Sequence, residues 1–315
     1  MADKATYSDV AVVIPCLNEA AAIEHVVKGF GGHLPGARIY VFDNGSSDDT
    51  AAIAKRAGAI VRAEPRCGKG HVMRRMFRDV EAAIYVLVDG DLTYDAAAAK
   101  DMIERLRKER LDVVIASRVA AGADEYRPGH KFGNWALTAT ISRLFKAPLR
   151  DMLSGYRVMS RRFVKSFPMD ASGFEIETEM TVHMLQLDVP FIELDIPYSS
   201  RGENSESKLN TWQDGFRILR TILGLMVLER PVAIFGGFGL ICIVIAGLMF
   251  QPVLAQYQVT GLVPRFPTLI VSVAFALIGL ISCFSGLILS GITRTRRDMK
   301  RLAYLAAPAP ETYDS

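Results

Sequence analysis

The stretch AIYVLVDGD, residues Ala83–Asp91, decides the fold class of this 315-residue chain. It opens with six consecutive apolar residues that include β-branched and aromatic types, a pattern that predicts a strand buried on both faces. Two aspartates separated by one glycine end the strand, and a helical pattern follows from Ala96 to Arg110. A buried strand that leads through a polar turn into a helix is the repeating unit of parallel sheets.

The same alternation of strand and helix continues on both sides of this stretch. Further apolar runs that predict strands are VAVVIP (Val10–Pro15), ARIYVFD (Ala37–Asp43), AIVRAE (Ala59–Glu64) and LDVVIASR (Leu111–Arg118). We therefore expect an α/β domain with a mostly parallel sheet and helices on both faces. Ligands of such sheets bind beyond the carboxyl ends of the strands. Three of these ends carry polar clusters: Asn18-Glu19, Asp43-Asn44 and Asp89-Gly90-Asp91.

Composition narrows the classes of function. The chain is 50% hydrophobic and its formal net charge is only +3, whereas disorder requires low hydrophobicity and high net charge. Nucleic-acid binding depends on a basic excess, so no nucleic-acid partner is expected. The four cysteines form no CxxC pair, which argues against a zinc site and a disulfide framework. Cys67 is interpreted as a small packed residue rather than a nucleophile.

Two uncharged stretches in the C-terminal third predict membrane spans. Residues 231–264 and 266–293 contain no Asp, Glu, Lys or Arg, and about 20 apolar residues suffice to cross the hydrocarbon core. A hairpin of buried core helices is the alternative. Arginines and lysines flank the pair on both outer sides, while the connecting loop carries only Arg265. The positive-inside rule then predicts that both termini are cytosolic, and the first ten residues lack the apolar region of a signal peptide.

The polar clusters carry side chains that can bind a metal ion, a nucleotide or an anion. Asp89 and Asp91 lie at i and i+2 of an extended segment, so both carboxylates can approach one hard cation such as Mg²⁺ or Mn²⁺; a plain β-turn is the alternative. Asp43 is placed to accept hydrogen bonds from a nucleobase or ribose, or to cap the next helix. Lys69, in GKG at a predicted helix start, favours an anion. P-loop and dinucleotide-binding patterns are absent from the sequence.

Six segments in order now resemble a known family: VVIPCLNE, VFDNGSSDDT, CGKGH, LVDGDLTYD, DMLSGYRVMSRRFV and RGENSESKL. Together they resemble family 2 glycosyltransferases of the GT-A fold, and within them the polyprenyl-phosphate glycosyltransferases related to dolichol-phosphate mannose synthase. The resemblance covers about residues 9–210, and the paired spans extend it to nearly the whole chain.

The resemblance implies roles for individual residues. The sugar donor's nucleotide would contact Pro15, Asn18, Glu19, Asp43, Ser46, Lys69 and Asp89, and a divalent ion would be held by Asp89 and Asp91. The implied catalytic residues are Asp91, Arg118 and Asp151, of which Asp151 acts as a base or orients the acceptor, with Ser154 beside it. The implied contacts to phosphate and acceptor are Lys131, Asn134, Arg157, Arg201 and Lys208.

Two departures from the family pattern matter. The family often has DADLQ where this chain has DGDLT, so Thr93 replaces an amide and its contact to a metal is in doubt. The QxxRW motif of processive members is absent, since Trp212 lies in NTWQDGF. Processive polymer synthesis is therefore not expected.

Four regions follow for the whole chain: a cytosolic GT-A catalytic domain (1–210), an amphipathic juxtamembrane helix (211–230), a two-helix membrane hairpin (231–293) and a cytosolic basic tail (294–315). The juxtamembrane segment mixes apolar residues with Arg217, Arg220 and Arg230, which is typical of a helix at the lipid surface; a soluble helix packed on the core is the alternative. Gly236, Gly237 and Gly239 form no clean packing motif, and the oligomeric state, homo-oligomer included, stays open.

The expected reaction is inverting transfer of a sugar, with a UDP-sugar favoured as donor, to a polyprenyl phosphate at the cytosolic membrane face. A divalent ion would stabilise the leaving diphosphate, and an ionised lipid phosphate needs little deprotonation, so Asp151 would mainly position groups. The alternatives are a membrane-tethered transferase acting on a glycan or protein, and a catalytically silent subunit that binds nucleotide-sugar.

Two further groups of residues are interpreted with less specificity. Glu175, Glu177 and Glu179 alternate in GFEIETEM and lie either near an acceptor or at a solvated helix start. His183 falls within an apolar helical pattern and is expected to be a core histidine rather than a base.

Overall fold

The computed structural model of the chain describes residues 6–120, 128–168, 176–198, 220 and 223–308. The chain divides into two compact units. One consists of the residues up to Thr211 together with those from Lys300 onward, and the other is Trp212–Met299. The second unit begins before the uncharged stretches, which start at residue 231, and contains both of them.

Among the described residues, seven strands form one sheet in the order β3-β2-β1-β4-β6-β5-β7. Their bounds are β1 Val10–Cys16, β2 Arg38–Asp43, β3 Ile60–Ala63, β4 Ile84–Leu87, β5 Val113–Ala120, β6 Arg157–Ser160 and β7 Phe191–Tyr198. Only β6 is antiparallel to its neighbours β4 and β5 among the described strands. The α/β class and the mostly parallel sheet are confirmed, and β6 and β7 add two strands that the apolar runs did not predict.

Seven helices accompany the sheet in the described part of the first unit. Their bounds are α1 Ile23–His33, α2 Thr50–Arg56, α3 Lys69–Asp79, α4 Ala98–Lys108, α5 Pro128–Phe145, α6 Arg161–Ser166 and α7 Ile176–Leu187. Apolar side chains at helical spacing bury one face of each amphipathic helix, as Val26 and Phe30 do in α1 and Met102 and Leu106 in α4. Ser160 caps α6 by accepting the backbone N–H of Phe163.

The strand order places a reversal of winding at β1. Strands β2 and β3 extend the sheet on one side of β1, and β4 lies on its other side. Parallel sheets open a crevice at such a reversal, beyond the carboxyl ends of the strands. Asn18 and Glu19 follow β1, and Asp89 and Asp91 follow β4. The fold therefore brings two of the three predicted polar clusters to one crevice.

The second unit contains α8 (Gly237–Thr260), preceded by a π-helical turn at Val232–Gly236, and most of α9 (Phe266–Ala306), whose residues from Lys300 onward belong to the first unit. Both are long and apolar enough to cross a membrane. Most of their large side chains are exposed, such as Leu248 at 70%. Burial on this scale is too low for core helices of a soluble domain.

Small residues bring α8 and α9 together. A Cβ atom added at Gly239 would lie 2.6 Å from the carbonyl oxygen of Gly279, and one added at Gly279 would lie 2.7 Å from that of Gly239. Ser282 Oγ donates a hydrogen bond of 2.8 Å to the carbonyl of Phe235. Such close backbone approach at small residues is how helices associate in lipid. The packing motif that one helix alone lacks is formed by glycines from both.

The predicted juxtamembrane helix lies only partly within the described residues. Residues 223–229 are helical, and Leu223 and Leu228 are exposed there. Its interfacial position stays a prediction. Part of the predicted basic tail contacts the first unit. Lys300 Nζ donates to Gln186 Oε1 at 2.6 Å, and Tyr304 Oη donates to Asp112 Oδ2 at 2.7 Å. These residues are part of the first unit.

His183 is a core residue, as expected. It has no exposed surface, its Nε2 lies 3.0 Å from Ser166 Oγ, and it packs against the rings of Phe163 and Phe167. Burial, helped by the nearby Lys300 ammonium, lowers the pKa of His183 from 6.5 to about 3. The neutral imidazole is therefore the form that the fold accommodates.

This burial predicts an acid-sensitive fold. The unfolded chain binds a proton at His183 more readily than the folded chain does, so the stabilisation is full above pH 6.5 and decreases as the pH falls from 6.5 towards 3. At pH 5 we expect a loss of about 2 kcal/mol relative to neutral pH. Denaturant unfolding of the purified protein at both pH values, with His183→Gln as comparison, measures it. An unchanged pH dependence in the variant would contradict the prediction.

Candidate active site

Acidic side chains converge on the carboxyl end of β1. The Cys16 thiol is buried there, and its pKa is raised first by burial and then by four nearby carboxylates. These carboxylates belong to Glu19, Asp43, Asp89 and Asp91. Gly90 lies against Cys16 Sγ, and the loops after β1 and β2 are hydrogen-bonded to each other, so the three polar clusters, which are far apart in sequence, meet at one place.

The DGD segment is held in a tight fit. A Cβ atom added at Gly90 would lie 2.6 Å from Cys16 Sγ, so the sulfur occupies the space that an alanine methyl would need. One added at Gly155 would lie only 2.2 Å from Asp89 Oδ2. Glycine at each position is required by close approach rather than by an unusual backbone angle. Gly155 thereby sets the position of the Asp89 carboxylate.

Thr93 holds the second aspartate of the pair. Its hydroxyl donates to Asp91 Oδ1 at 2.6 Å, and Thr93 and Asp91 are both buried. The residue that replaces the family's amide is therefore a hydrogen-bond partner of Asp91, which orients the carboxylate.

Lys69 begins α3 and lies between two carboxylates. Its Nζ is 2.7 Å from Asp89 Oδ1 and 2.5 Å from Glu177 Oε1. Burial alone would lower the pKa of Lys69, but these two carboxylates outweigh burial and the net pKa is raised. The ammonium is thus a fixed positive charge beside the DGD segment.

The sequence allows two interpretations of Glu177, on α7: an acceptor-side group or a residue at a solvated helix start. Its side chain is only 7% exposed and forms the ion pair with Lys69, so it is not a solvated residue. Glu179 is half-buried on the same helix, and Glu175 lies outside the described residues. The alternation in the sequence could not show which glutamate meets Lys69, because that depends on how α7 packs.

The loops after β1 and β2 bind each other through polar groups. Asn18, in the left-handed region at φ 57°, donates its backbone N–H to Ser46 Oγ at 3.0 Å and accepts from Ser47 N at 2.8 Å. The Asp43 carboxylate accepts the backbone N–H of Ser46 at 3.3 Å. Glu19 and Pro15 are half-buried beside them. This places the predicted nucleotide-contacting residues together, and Asp43 does not cap α2.

Asn44 follows β2, and the sequence alone indicates no role for its side chain. Its Nδ2 donates to the carbonyls of Glu64 and Arg66, and its Oδ1 accepts the backbone N–H of Gly68 at 2.8 Å. One side chain thus joins the ends of β2 and β3 to the loop that carries Lys69.

Arg118 and Asp151 form a two-point ion pair. Arg118 Nε lies 2.6 Å from Asp151 Oδ2, and Nη2 lies 2.7 Å from Oδ1. The backbone N–H of Asp151 is held by Glu193 Oε1 at 3.1 Å, and the guanidinium lies over the ring of Tyr198. Bidentate pairs fix orientation as well as charge. Glu193 was not predicted, since it is one of several alternating residues on β7.

Arg157 is a buried residue in the structure, and its predicted contact with a phosphate stays a prediction. Arg157 has no exposed surface, and its guanidinium donates to the carbonyls of Met152, Ser154 and Glu177 and to Thr181 Oγ1. It therefore ties the loop before β6 to α7. Ser154 is also buried, 3.4 Å from Tyr94 Oη. The sequence suggests a ligand contact for an arginine that follows a motif. In the structure, the guanidinium of Arg157 donates to three backbone carbonyls.

The other predicted acceptor contacts are not placed by the described side chains. Lys131 and Asn134 lie on α5, while Arg201 and Lys208 lie outside the described residues. Their roles stay predictions.

The donor set fits a divalent ion only when a ligand completes it. Within the described ranges, no group of three His, Cys, Asp or Glu side chains could hold a metal by itself. Asp89 and Asp91 supply hard carboxylate oxygens of the kind that Mg²⁺ and Mn²⁺ prefer. Two carboxylates would leave most coordination positions of such an ion open to other ligands.

Comparisons with known proteins agree with this geometry. Residues 11–167 match the profile of Glycosyl transferase family 2. Glycosyltransferase AglJ of Haloferax volcanii is 32% identical over 73% of this chain and 76% of its own. The dolichyl-phosphate hexose transferase of the same organism is 26% identical over 71% of this chain and 97% of its own.

A solved structure shares the fold. Glucosyl-3-phosphoglycerate synthase from Mycobacterium tuberculosis, in complex with Mn²⁺, UDP-glucose and glycerol 3-phosphate, superposes with a TM-score of 0.54. It is 23% identical, and the match covers 70% of this chain and 79% of that one. The likeness supports the architecture of the first unit.

The contact between Gly155 and Asp89 predicts a non-additive pair of substitutions. Gly155→Ala should lower the free energy of unfolding by about 1–3 kcal/mol, because the methyl group overlaps the carboxylate. The same substitution in an Asp89→Ala background should cost much less, since the overlap is removed. Gly32→Ala, whose added Cβ meets nothing within 4 Å, is the matched control. Denaturant unfolding measures all four, and equal costs in both backgrounds would contradict the contact.

Proposed function

Because the chain belongs to glycosyl transferase family 2, we propose that it transfers a sugar from a nucleotide-diphosphate sugar to a polyprenyl phosphate at the cytosolic face of a membrane. The observation that carries the proposal is the meeting of Asp89, Asp91 and Lys69 at one sheet edge, in a chain with two helices that could span a membrane. The relative named as a dolichyl-phosphate hexose transferase supports the lipid acceptor.

The donor's diphosphate would lie beyond β4. Asp89 and Asp91 would hold Mg²⁺ or Mn²⁺, which, when bound, offsets the negative charge of the leaving diphosphate. Lys69 adds a fixed positive charge in a site that excludes much of the water. The presence of Mn²⁺ and UDP-glucose in the synthase structure supports a divalent ion and favours a UDP-sugar.

The nucleotide would lie across the loops after β1 and β2. Asp43 is buried there and its carboxylate faces the Ser46 backbone, so a base or ribose can be recognised by groups already held in place. Preorganised polar groups lose little entropy on binding. We assign Pro15, Asn18, Glu19, Asp43 and Ser46 to this part of the donor site.

The acceptor phosphate would be positioned by Arg118. A lipid phosphate is ionised at neutral pH and attacks without a base, so orientation is the main requirement. The two-point contact of Asp151 with Arg118 suits an orienting role for Asp151. Attack from the face opposite the diphosphate inverts the anomeric centre, and an α-linked donor then gives a β-linked product, which NMR of the product would show.

Membrane attachment would serve the same reaction. The positive-inside pattern supports a cytosolic first unit, which would meet nucleotide-sugars there. An interfacial helix over 211–230 would hold the donor site at the depth of the lipid phosphate. Anchoring thereby confines the enzyme to the surface on which its acceptor lies.

The test is transfer into a lipid product. Membranes containing the protein are incubated with a panel of labelled nucleotide-sugars and polyprenyl phosphate, and we expect label in the organic phase. Asp91→Asn should lower the rate by about 100-fold or more, because the ion loses a ligand. Asp101→Asn, which removes a carboxylate that is 67% exposed on α4, is the matched control and should leave the rate unchanged.

Three outcomes would contradict the proposal. Label in a water-soluble glycan or protein would assign the enzyme to another acceptor class. Full transfer by Asp91→Asn would show that the DGD pair is not needed for transfer. No transfer by the wild type with any donor would show that the protein lacks the proposed activity.

A further inference from the structure

Lys69, Asp89 and Glu177 form a triad in which one cation is shared by two anions. The ammonium lies 2.7 Å from Asp89 and 2.5 Å from Glu177, and the side chains are 13%, 27% and 7% exposed respectively. Of the two carboxylates, Asp89 is the more exposed and belongs to the DGD pair. The triad therefore joins Asp89, which is proposed to bind the divalent ion, to Glu177, which has no role in the proposed reaction.

Glu177 is held firmly in its position. It lies in the first turn of α7, and its backbone carbonyl accepts Nη2 of the buried Arg157 at 3.3 Å. Arg157 also donates to the carbonyl of Met152 at 2.6 Å, so α7 and the loop before β6 are fixed together. A buried carboxylate needs a charged or hydrogen-bonding partner, and Lys69 provides it.

The contact with Asp89 has a consequence for ion binding. An oxygen of Asp89 that accepts the ammonium at 2.7 Å is taken from any incoming ion, and two cations on one carboxylate repel each other at this range. A divalent ion on Asp89 therefore competes with Lys69 and favours release of the ammonium. Without Glu177, the displaced ammonium would be buried with no anion beside it, at a substantial cost.

We propose that Lys69 is an exchangeable counter-ion of Asp89, and that Glu177 is a positioning residue that keeps Lys69 in place when the divalent ion replaces it. The inference rests on the proposed function for the identity of the ion. Once released from Asp89, the ammonium stays beside Glu177, next to the expected position of the diphosphate. Glu177 thereby lowers the cost of the exchange and keeps the charge available for the leaving group.

This exchange predicts effects of opposite sign on ion binding and on turnover. Lys69→Gln removes the competitor, so Mn²⁺ alone should bind about fivefold more tightly, while sugar transfer slows because a positive charge is missing. Glu177→Gln leaves Lys69 with Asp89 as its remaining carboxylate partner in the triad, so Mn²⁺ should bind more weakly and half-maximal transfer should need more Mn²⁺. A merely structural ion pair would not separate the two readouts in this way.

The experiment is an electron paramagnetic resonance titration of the purified full-length protein with Mn²⁺ alone. Lys69→Gln leaves Glu177 without its partner and is at risk of misfolding, so the Lys69→Gln/Glu177→Gln double variant, which removes both charges, is measured as well. It should bind Mn²⁺ more tightly than Glu177→Gln. Arg66→Gln, which removes an exposed charge in the same loop, controls for general electrostatics and should change the affinity less than about twofold.

Equal or weaker Mn²⁺ binding after removal of Lys69 in both backgrounds would overturn the proposal, as would an equal shift in Arg66→Gln. Because the titration contains neither sugar donor nor lipid, it can fail while transfer to polyprenyl phosphate succeeds. Failure of the lipid transfer assay with normal Mn²⁺ exchange would instead disprove the proposed acceptor.

Discussion

The ion pair of Lys69 with Asp89 and Glu177 is the interaction on which the site depends. The two carboxylates lie 2.7 Å and 2.5 Å from the same ammonium and are 27% and 7% exposed, so two negative charges lie close together where water has limited access. Like charges in such a place require a cation. Lys69 supplies one cation within the chain. The negative charge that Lys69 does not offset would bind the proposed divalent ion, which in turn would bind the diphosphate.

The sequence predicted the parts of this site that follow from single strands. A buried strand ending in DGD places Asp89 and Asp91 at the carboxyl edge, whatever the rest of the chain does. Glu177 and Glu193 could not be assigned in this way. Each acts on a residue far away in sequence, Lys69 or Asp151, and such pairs are decided by how α7 and β7 pack. The antiparallel strand β6 escaped prediction because its sequence, RVMS, contains only two adjacent apolar residues.

The surroundings of Arg157 could not be predicted from the sequence either. Sequence interpretation treats an arginine near a motif as a ligand contact, because unpaired charges are seldom buried. Here three backbone carbonyls and a hydroxyl enclose it. The membrane-compatible helices were predicted from length and composition, but the contact of Gly239 with Gly279 was not, since it joins two separate helices.

The position of the divalent ion tests the central claim most directly. Diffraction at the manganese absorption edge, from crystals of the protein with Mn²⁺ and UDP, locates the ion by its anomalous signal. The account predicts one peak within about 2.0–2.6 Å of oxygens from both Asp89 and Asp91, bridged to the diphosphate. A peak bound to other side chains, or a diphosphate held by Lys69 with no ion at the DGD segment, would contradict it.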